Sequence, residues 1–180
     1  ERLAIFTCLN DRIVELRNKL TMSGTGWAGD RAKLASDPYL DPLPAVYRSP
    51  GRIWPQDAWH TAISGNALGY ASQEQAFALA TLFAAIAHME QLQAIENAKA
   101  ATLGDLAFAG PLTASERRAD LKILAELSVK NGGMRISALD FLRDAASAGY
   151  RLSEKAKNKN LSEQRNYRGE CVREPAYPAR

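Results

Sequence analysis

A chain of 180 residues, 46% hydrophobic and 24% charged, has the make-up of one globular domain with a buried core and is too short for two ordinary ones. Its formal charge of +3 is a mild excess, and the basic stretch near the end, "RLSEKAKNKNLSEQRNYR", is interleaved with glutamates and holds a single aromatic, Tyr167, which argues against a nucleic-acid surface. No run approaches the roughly eighteen apolar residues that cross a bilayer; the most apolar, "AFALATLFAAIAHM", is bounded by "SQEQ" and "EQLQ".

Alanine and leucine abound while valine is scarce, a balance that favours helix over sheet. From Arg2 to Met22 the apolar positions Phe6, Leu9, Ile13, Leu16 and Leu20 alternate spacings of three and four, the seam of a helix lying along another. The glycines of "SGTGWAG" end it. Residues 23–54 carry prolines at 38, 42, 44 and 50 and little periodicity, which predicts an ordered strap pinned by Trp27, Tyr39, Leu43, Val46 and Tyr47. "WPQDAWHTAISGNALG" then reads as a short helix, with Pro55 suited to the first turn, Asp57 near the positive end and "SGN" as the stop. Trp59 and Ile63 share one face, and Trp54 folds back on Ala58 or Trp59 as a staple, which together predict a hydrophobic clamp against the bundle.

Ser72 and Gln75 form a capping box that opens a long helix running to about Ala107. Its stripe is Leu79, Leu82, Ile86 and Met89, widened by Phe83, Ala87 and Ala94, which marks it as the central element. A second capping box, Thr113 to Glu116, opens a helix carrying Leu121, Leu124 and Leu127 and then, in phase beyond "NGG", Met134, Ile136, Leu139 and Leu142. The two glycines either break this helix or permit a close backbone crossing, and a continuous or kinked helix to about Ala148 is expected. The charged remainder predicts one short helix over 161–167 and an extended tail after Pro175 and Pro178. The expected fold is all-α, an up-and-down helical bundle over residues 1–150 with a long Pro/Gly-rich loop and a short Trp-bearing helix. Residues 151–180 form a basic extension packing back on the first helix.

Two cysteines, Cys8 and Cys171, allow one intramolecular bridge, and the absence of a C-x-x-C pair argues against zinc. They are either bonded or two unrelated thiols; a cysteine inside the polar "NYRGECVREP" has little packing reason to be there, which favours the bond. A bond implies an oxidising compartment.

Catalytic patterns are missing. There is no E-x-x-H, the nearest being Asp57-x-x-His60, so no metal is expected; there is no G-x-S-x-G elbow, and "GTGWAG" lacks the lysine of a phosphate loop. No cofactor is indicated. Paired carboxylates such as Glu90 with Glu96, or Asp140 with Asp144, read as solvated helix faces. Arg48 and Arg52 flank "SPG" beside Trp54, where an arginine can lie over an indole or offer its fork to an anion. The candidate binding residues are therefore Arg48, Arg52, Trp54, Asp57, Trp59 and His60, none of them catalytic.

The stretch "YRSPGRIWPQDAWHTAISGNALGYASQEQAFALATLFAAIAHMEQLQ" resembles a group of uncharacterised proteobacterial membrane-anchored proteins with a Y-R-[ST]-P-x-R-x-W pattern and a second tryptophan five residues on. The matching positions are Tyr47, Arg48, Ser49, Pro50, Arg52, Trp54, Trp59, Ser64, Gly65 and Leu68; Cys8, Leu9 and Arg12 fit an upstream C-L-x-x-R, and "ILAELSVKNGGM" fits as well. The long basic C-terminal extension departs from the group. The resemblance implies a transmembrane helix ahead of Glu1, with this domain in the periplasm, and assigns no catalytic residue. The resulting expectation is a non-catalytic, extracytoplasmic domain of a membrane-tethered protein that binds a partner protein or a small ligand. The rivals are an enzyme with a pocket near Asp57 and His60, a structural or homo-oligomerising bundle, and a cytoplasmic location.

Overall fold

The computed structural model describes residues 1–22, 39–40, 43, 47–50, 56–108 and 110–175. Its two longest helices begin where local chemistry supplies partners for their first N–H groups. Ser72 accepts from the Gln75 amide at 3.2 Å while its own N–H donates to Gln75 Oε1 at 3.1 Å, and Thr113 and Glu116 repeat the exchange. Among the described residues five α-helices follow: α1 (Phe6–Met22), α2 (Asp57–Ser64), α3 (Gln73–Ala101), α4 (Ala114–Ser147) and α5 (Glu154–Arg168). A minimal ladder pairs Tyr39–Leu40 with Gly110–Pro111, antiparallel, and leaves the all-α class unchanged.

α4, and not α3 as the sequence led one to expect, is the central element, because it packs against both α3 and α1. Both neighbours run antiparallel to it: Lys99 pairs with Glu126 between α3 and α4, while Asn131 of α4 donates to Asn10 of α1 at 2.9 Å, and Arg2, ahead of α1, reaches Met134. Leu9, Ile13, Leu16 and Leu20 of α1 enter one core with Leu124 and Leu127 of α4. Leu43 and Tyr47 join it from the strap, and Leu103 and Leu106 from the turn after α3.

The C-terminal extension closes over α1. Leu161 and Val172 belong to the same core, Cys8 and Cys171 are joined with sulfurs 2.03 Å apart, and the Arg173 N–H donates to the Ala4 carbonyl at 2.9 Å. Gly169, at φ 79°, turns the chain out of α5 in a conformation that side chains resist.

Several boundaries differ from the sequence expectation. α1 starts at Phe6, because the Ala4 and Ile5 amides turn back onto the Glu1 carbonyl. α3 stops at Ala101 and tightens into a 3-10 turn, Gly104–Ala107, which delivers Leu106 to the core. α4 passes unbroken through Gly132 and Gly133, and a Cβ at either would meet nothing within 4 Å, so no close crossing explains them. Its seam also turns away from the expected Ile136, which is 60% exposed. α5 is longer than the helix expected over 161–167, because Ser153 caps it by accepting from the Ala156 amide. Of the strap's expected packers, Trp27 and Val46 lie outside the described residues, as do Arg52, Trp54 and Pro55.

Candidate functional site

The seams of α3 and α4 continue well past the end of α1. On α3 the positions Leu79, Leu82, Ile86, Met89, Gln93 and Glu96 alternate spacings of three and four, and Ala100 and Leu103 extend the series. On α4 the same alternation runs through Leu124, Leu127, Asn131 and Met134, then Ala138, Phe141 and Ala145. Each is the apolar repeat of a helix that expects neighbours along its whole length. α1 has 17 residues, whereas α3 has 29 and α4 has 34. The first half of α3 and the last third of α4 therefore outreach it.

Between those overhanging halves lies an apolar groove of about 580 Å³. One wall is Leu79, Leu82, Phe83, Ile86 and Met89; the other is Met134, Ala138, Phe141, Leu142 and Ala145. Glu1, Arg2 and Leu3, the turn that leads into α1, form one end. Tyr150, Arg151 and Leu152 border it after α4, and Pro50 of the strap and Pro175 of the extension also reach it. The volume falls within the range of small-molecule and peptide pockets, and the lining is mostly apolar with a few polar groups, the balance such sites show.

The closed end is a buried polar cluster. Arg2 donates Nη1 to Glu96 Oε2 and Nη2 to Glu96 Oε1, each at 2.7 Å, and the Tyr47 hydroxyl donates to Oε1 at 2.7 Å. Glu96 is 0% exposed and Arg2 7%. Burial, reinforced by the Glu96 carboxylate, pushes the Tyr47 phenol far above its ordinary value, so it remains a proton donor. The cluster neutralises itself and offers the groove neither a base nor a nucleophile.

This corrects the reading of Glu96 as part of a solvated face. The signal was positional: Leu82, Met89 and Glu96 are each seven apart, so the carboxylate stands on the buried stripe. Asn131 is a second buried polar group on a seam, held by its bond to Asn10.

The sequence-nominated residues are scattered around this groove. Trp59 is half-buried and stacks on Phe83, with ring centroids 4.4 Å apart and planes 3° from parallel, so it backs one groove wall from outside. Ile63, expected beside it in the clamp, is 49% exposed, because α2 lies on the surface of the bundle and buries none of its residues fully. Asp57 and His60 are exposed, and neither lines the groove. Arg48 is exposed and donates to the Tyr167 hydroxyl at 3.0 Å while lying 5.6 Å over the same ring, which ties the strap to α5. Its carbonyl accepts from Arg168 at 2.9 Å. Arg52 and Trp54 cannot be added to this arrangement, since both fall outside the described residues.

Among the described residues no group of three or more His, Cys, Asp and Glu side chains is gathered as a metal would require, and no helix is long and apolar enough to cross a membrane. Compared with protein-family models, with curated proteins and with solved structures, the chain matches none.

Proposed function

We propose that the protein is a non-catalytic recognition domain that holds an apolar guest in the groove between α3 and α4. The observation that carries this reading is the groove itself, a cavity of about 580 Å³ walled by leucine, isoleucine, phenylalanine and methionine from two helix seams. A guest that takes the cavity's remaining apolar lining from water gains roughly 25 cal/mol for each Å² it buries. The self-neutralised Arg2–Glu96–Tyr47 cluster at its end favours binding over chemistry. The Cys8–Cys171 bond supports an oxidising, extracytoplasmic setting, and the membrane tether ahead of Glu1 that the resemblance implies belongs to the same proposal.

The test is titration of the oxidised protein with the neutral dye N-phenyl-1-naphthylamine. One saturable site is expected, with emission lost when Ala138→Trp and Ala145→Trp fill the groove. Absence of binding, or binding untouched by both substitutions, overturns the reading.

A further inference from the structure

We infer that the protein pairs with a second copy of itself through the outer face of α4, the two helices lying antiparallel about a two-fold axis at the level of Lys130 and Asn131. The inference does not depend on the groove. α4 packs against α1 and α3, and its buried residues Leu124, Leu127, Asn131 and Met134 form its inner side. A second series runs along the side away from them. Ala125, Val129, Gly132, Ile136 and Leu139 alternate spacings of four and three, the repeat of a helix that lies along another. Among the described residues nothing answers it: Val129 is 78% exposed and Ile136 60%, Ala125 and Gly133 are exposed too, and a Cβ at Gly132 would meet nothing within 4 Å. A single aliphatic in water is ordinary. A seam of them, with two helix-weakening glycines at its centre, is the make-up of a contact surface.

Self-complementarity identifies the occupant as a second copy. The antiparallel register sets Val129 of one copy against Gly132 of the other, and Ile136 against Ala125. Each layer thus matches one branched side chain with one small residue, and the glycine gives Val129 room at the closest approach. The same register brings Lys122 opposite Asp140 of the other copy, twice by symmetry. Lys122 is exposed, and Asp140 is half-exposed beside Arg143 of its own helix at 2.9 Å. A parallel pair would instead set lysine on lysine and aspartate on aspartate. The seam is about 21 Å long at 1.5 Å per residue. That is short of what the roughly 1,600 Å² of a standard interface needs, so the pair is reversible. The groove residues Met134, Ala138 and Phe141 lie on the other side of α4, and pairing leaves them untouched.

The test is sedimentation velocity of the whole, oxidised chain from micromolar to near-millimolar concentration, with helicity checked for every variant. A monomer–dimer equilibrium is expected. Ile136→Lys, at an exposed position, and Gly132→Leu, whose Cβ meets nothing in a separate copy, should each weaken it by about tenfold or more. Lys122→Glu and Asp140→Lys should each weaken it by about two- to fivefold, because each reverses one charge in both surface pairs. The double variant Lys122→Glu/Asp140→Lys should regain most of that loss. The two positions stand about 27 Å apart along one helix, so only a contact between copies can couple them.

A strict monomer over the whole range overturns the inference. So does a dimer that Ile136→Lys and Gly132→Leu leave intact, since it uses another face. A double charge variant no stronger than the single ones rules out the antiparallel register, and association into species larger than a dimer rules out the closed two-fold pair.

Discussion

Arg2 and Glu96, ninety-four positions apart, meet as a two-pronged pair with both contacts at 2.7 Å and Glu96 wholly out of solvent. Removing one member leaves the other charge buried alone, which costs about 3–5 kcal/mol, while replacing both with apolar side chains of similar bulk is often neutral. Glu96→Gln should therefore lower the urea midpoint strongly, and Arg2→Met combined with Glu96→Leu should recover most of the loss. Tyr47→Phe, which removes one bond to a charged acceptor, should cost about 2 kcal/mol. A double variant as weak as Glu96→Gln would show that the pair is not the source of the stability.

The Cys8–Cys171 bond spans a sequence separation of 163. In the chain-entropy treatment a ring of that size stabilises by about 5 kcal/mol relative to the open chain. Replacing both cysteines with alanine should lower stability by up to this amount and should first loosen Val172 and the Arg173–Ala4 bond, read by hydrogen exchange at the Arg173 amide. Unchanged protection there would separate the extension's docking from the disulfide.

Gly132 and Gly133 sit inside α4, where a methyl group at either would meet nothing within 4 Å. Gly132→Ala and Gly133→Ala should each stabilise by roughly 0.5–1 kcal/mol through lost freedom of the unfolded chain. Thermal melts of the single and double variants check this, and a destabilised double variant would point to a neighbour outside the described residues.

Trp59 lies flat on Phe83, whose ring lines the groove. Full burial of an indole would make its truncation cost about 3–5 kcal/mol, but a half-buried ring on a surface helix should lose about 1–2 kcal/mol. Trp59→Ala should nevertheless weaken dye binding several-fold, because Phe83 loses the ring that fixes its orientation. Equal dye affinity with and without Trp59 would leave α2 a purely peripheral helix.

Asp120 titrates above the ordinary carboxylate value, pushed up by burial and then by Glu116 and Asp105. A raised value in the folded state means that its ionisation opposes folding. Its stabilising share is complete below the unfolded value and is lost as pH rises through the folded one. Glu116 runs the other way: the Thr113 hydroxyl and amide hold it low, so its share is present above the ordinary value and lost as pH falls through the depressed one. Asp120→Asn should raise the melting temperature slightly at neutral pH and do nothing in strong acid, measured by melts across pH. A gain that persists in acid would assign the effect to packing.

The features legible in the sequence are those that local chemistry decides. Ser72 with Gln75 and Thr113 with Glu116 are reciprocal bonds within three residues, so the starts of α3 and α4 follow from adjacent letters. The Ser153 cap was equally local, but it opens a strongly polar helix with only Leu161 fully buried, and the apolar repeat used to find helices is nearly silent there. Glu96 was hidden because residue type spoke for solvent while position spoke for the core; its partners Arg2 and Tyr47 come from distant turns. The Arg48 contact with Tyr167 joins residues 119 apart, beyond the reach of any local pattern. The groove depends on register and relative length, since it exists only because α1 begins part-way along the hairpin of α3 and α4.

The disulfide also decides how the domain bears a load. Tension drawn between Glu1 and Pro175 travels from the start of α1 to Cys8, crosses the sulfurs to Cys171 and leaves through Val172. Everything from Leu9 to Glu170 is hidden length that a pull cannot extend while the bond is intact. The α3–α4 hairpin hangs from a covalent clasp as an unloaded lever, and its packing is spared whatever strain the two ends carry. Stretched singly, the oxidised domain should lengthen by only a few residues' worth of chain, and the reduced one by nearly its whole contour.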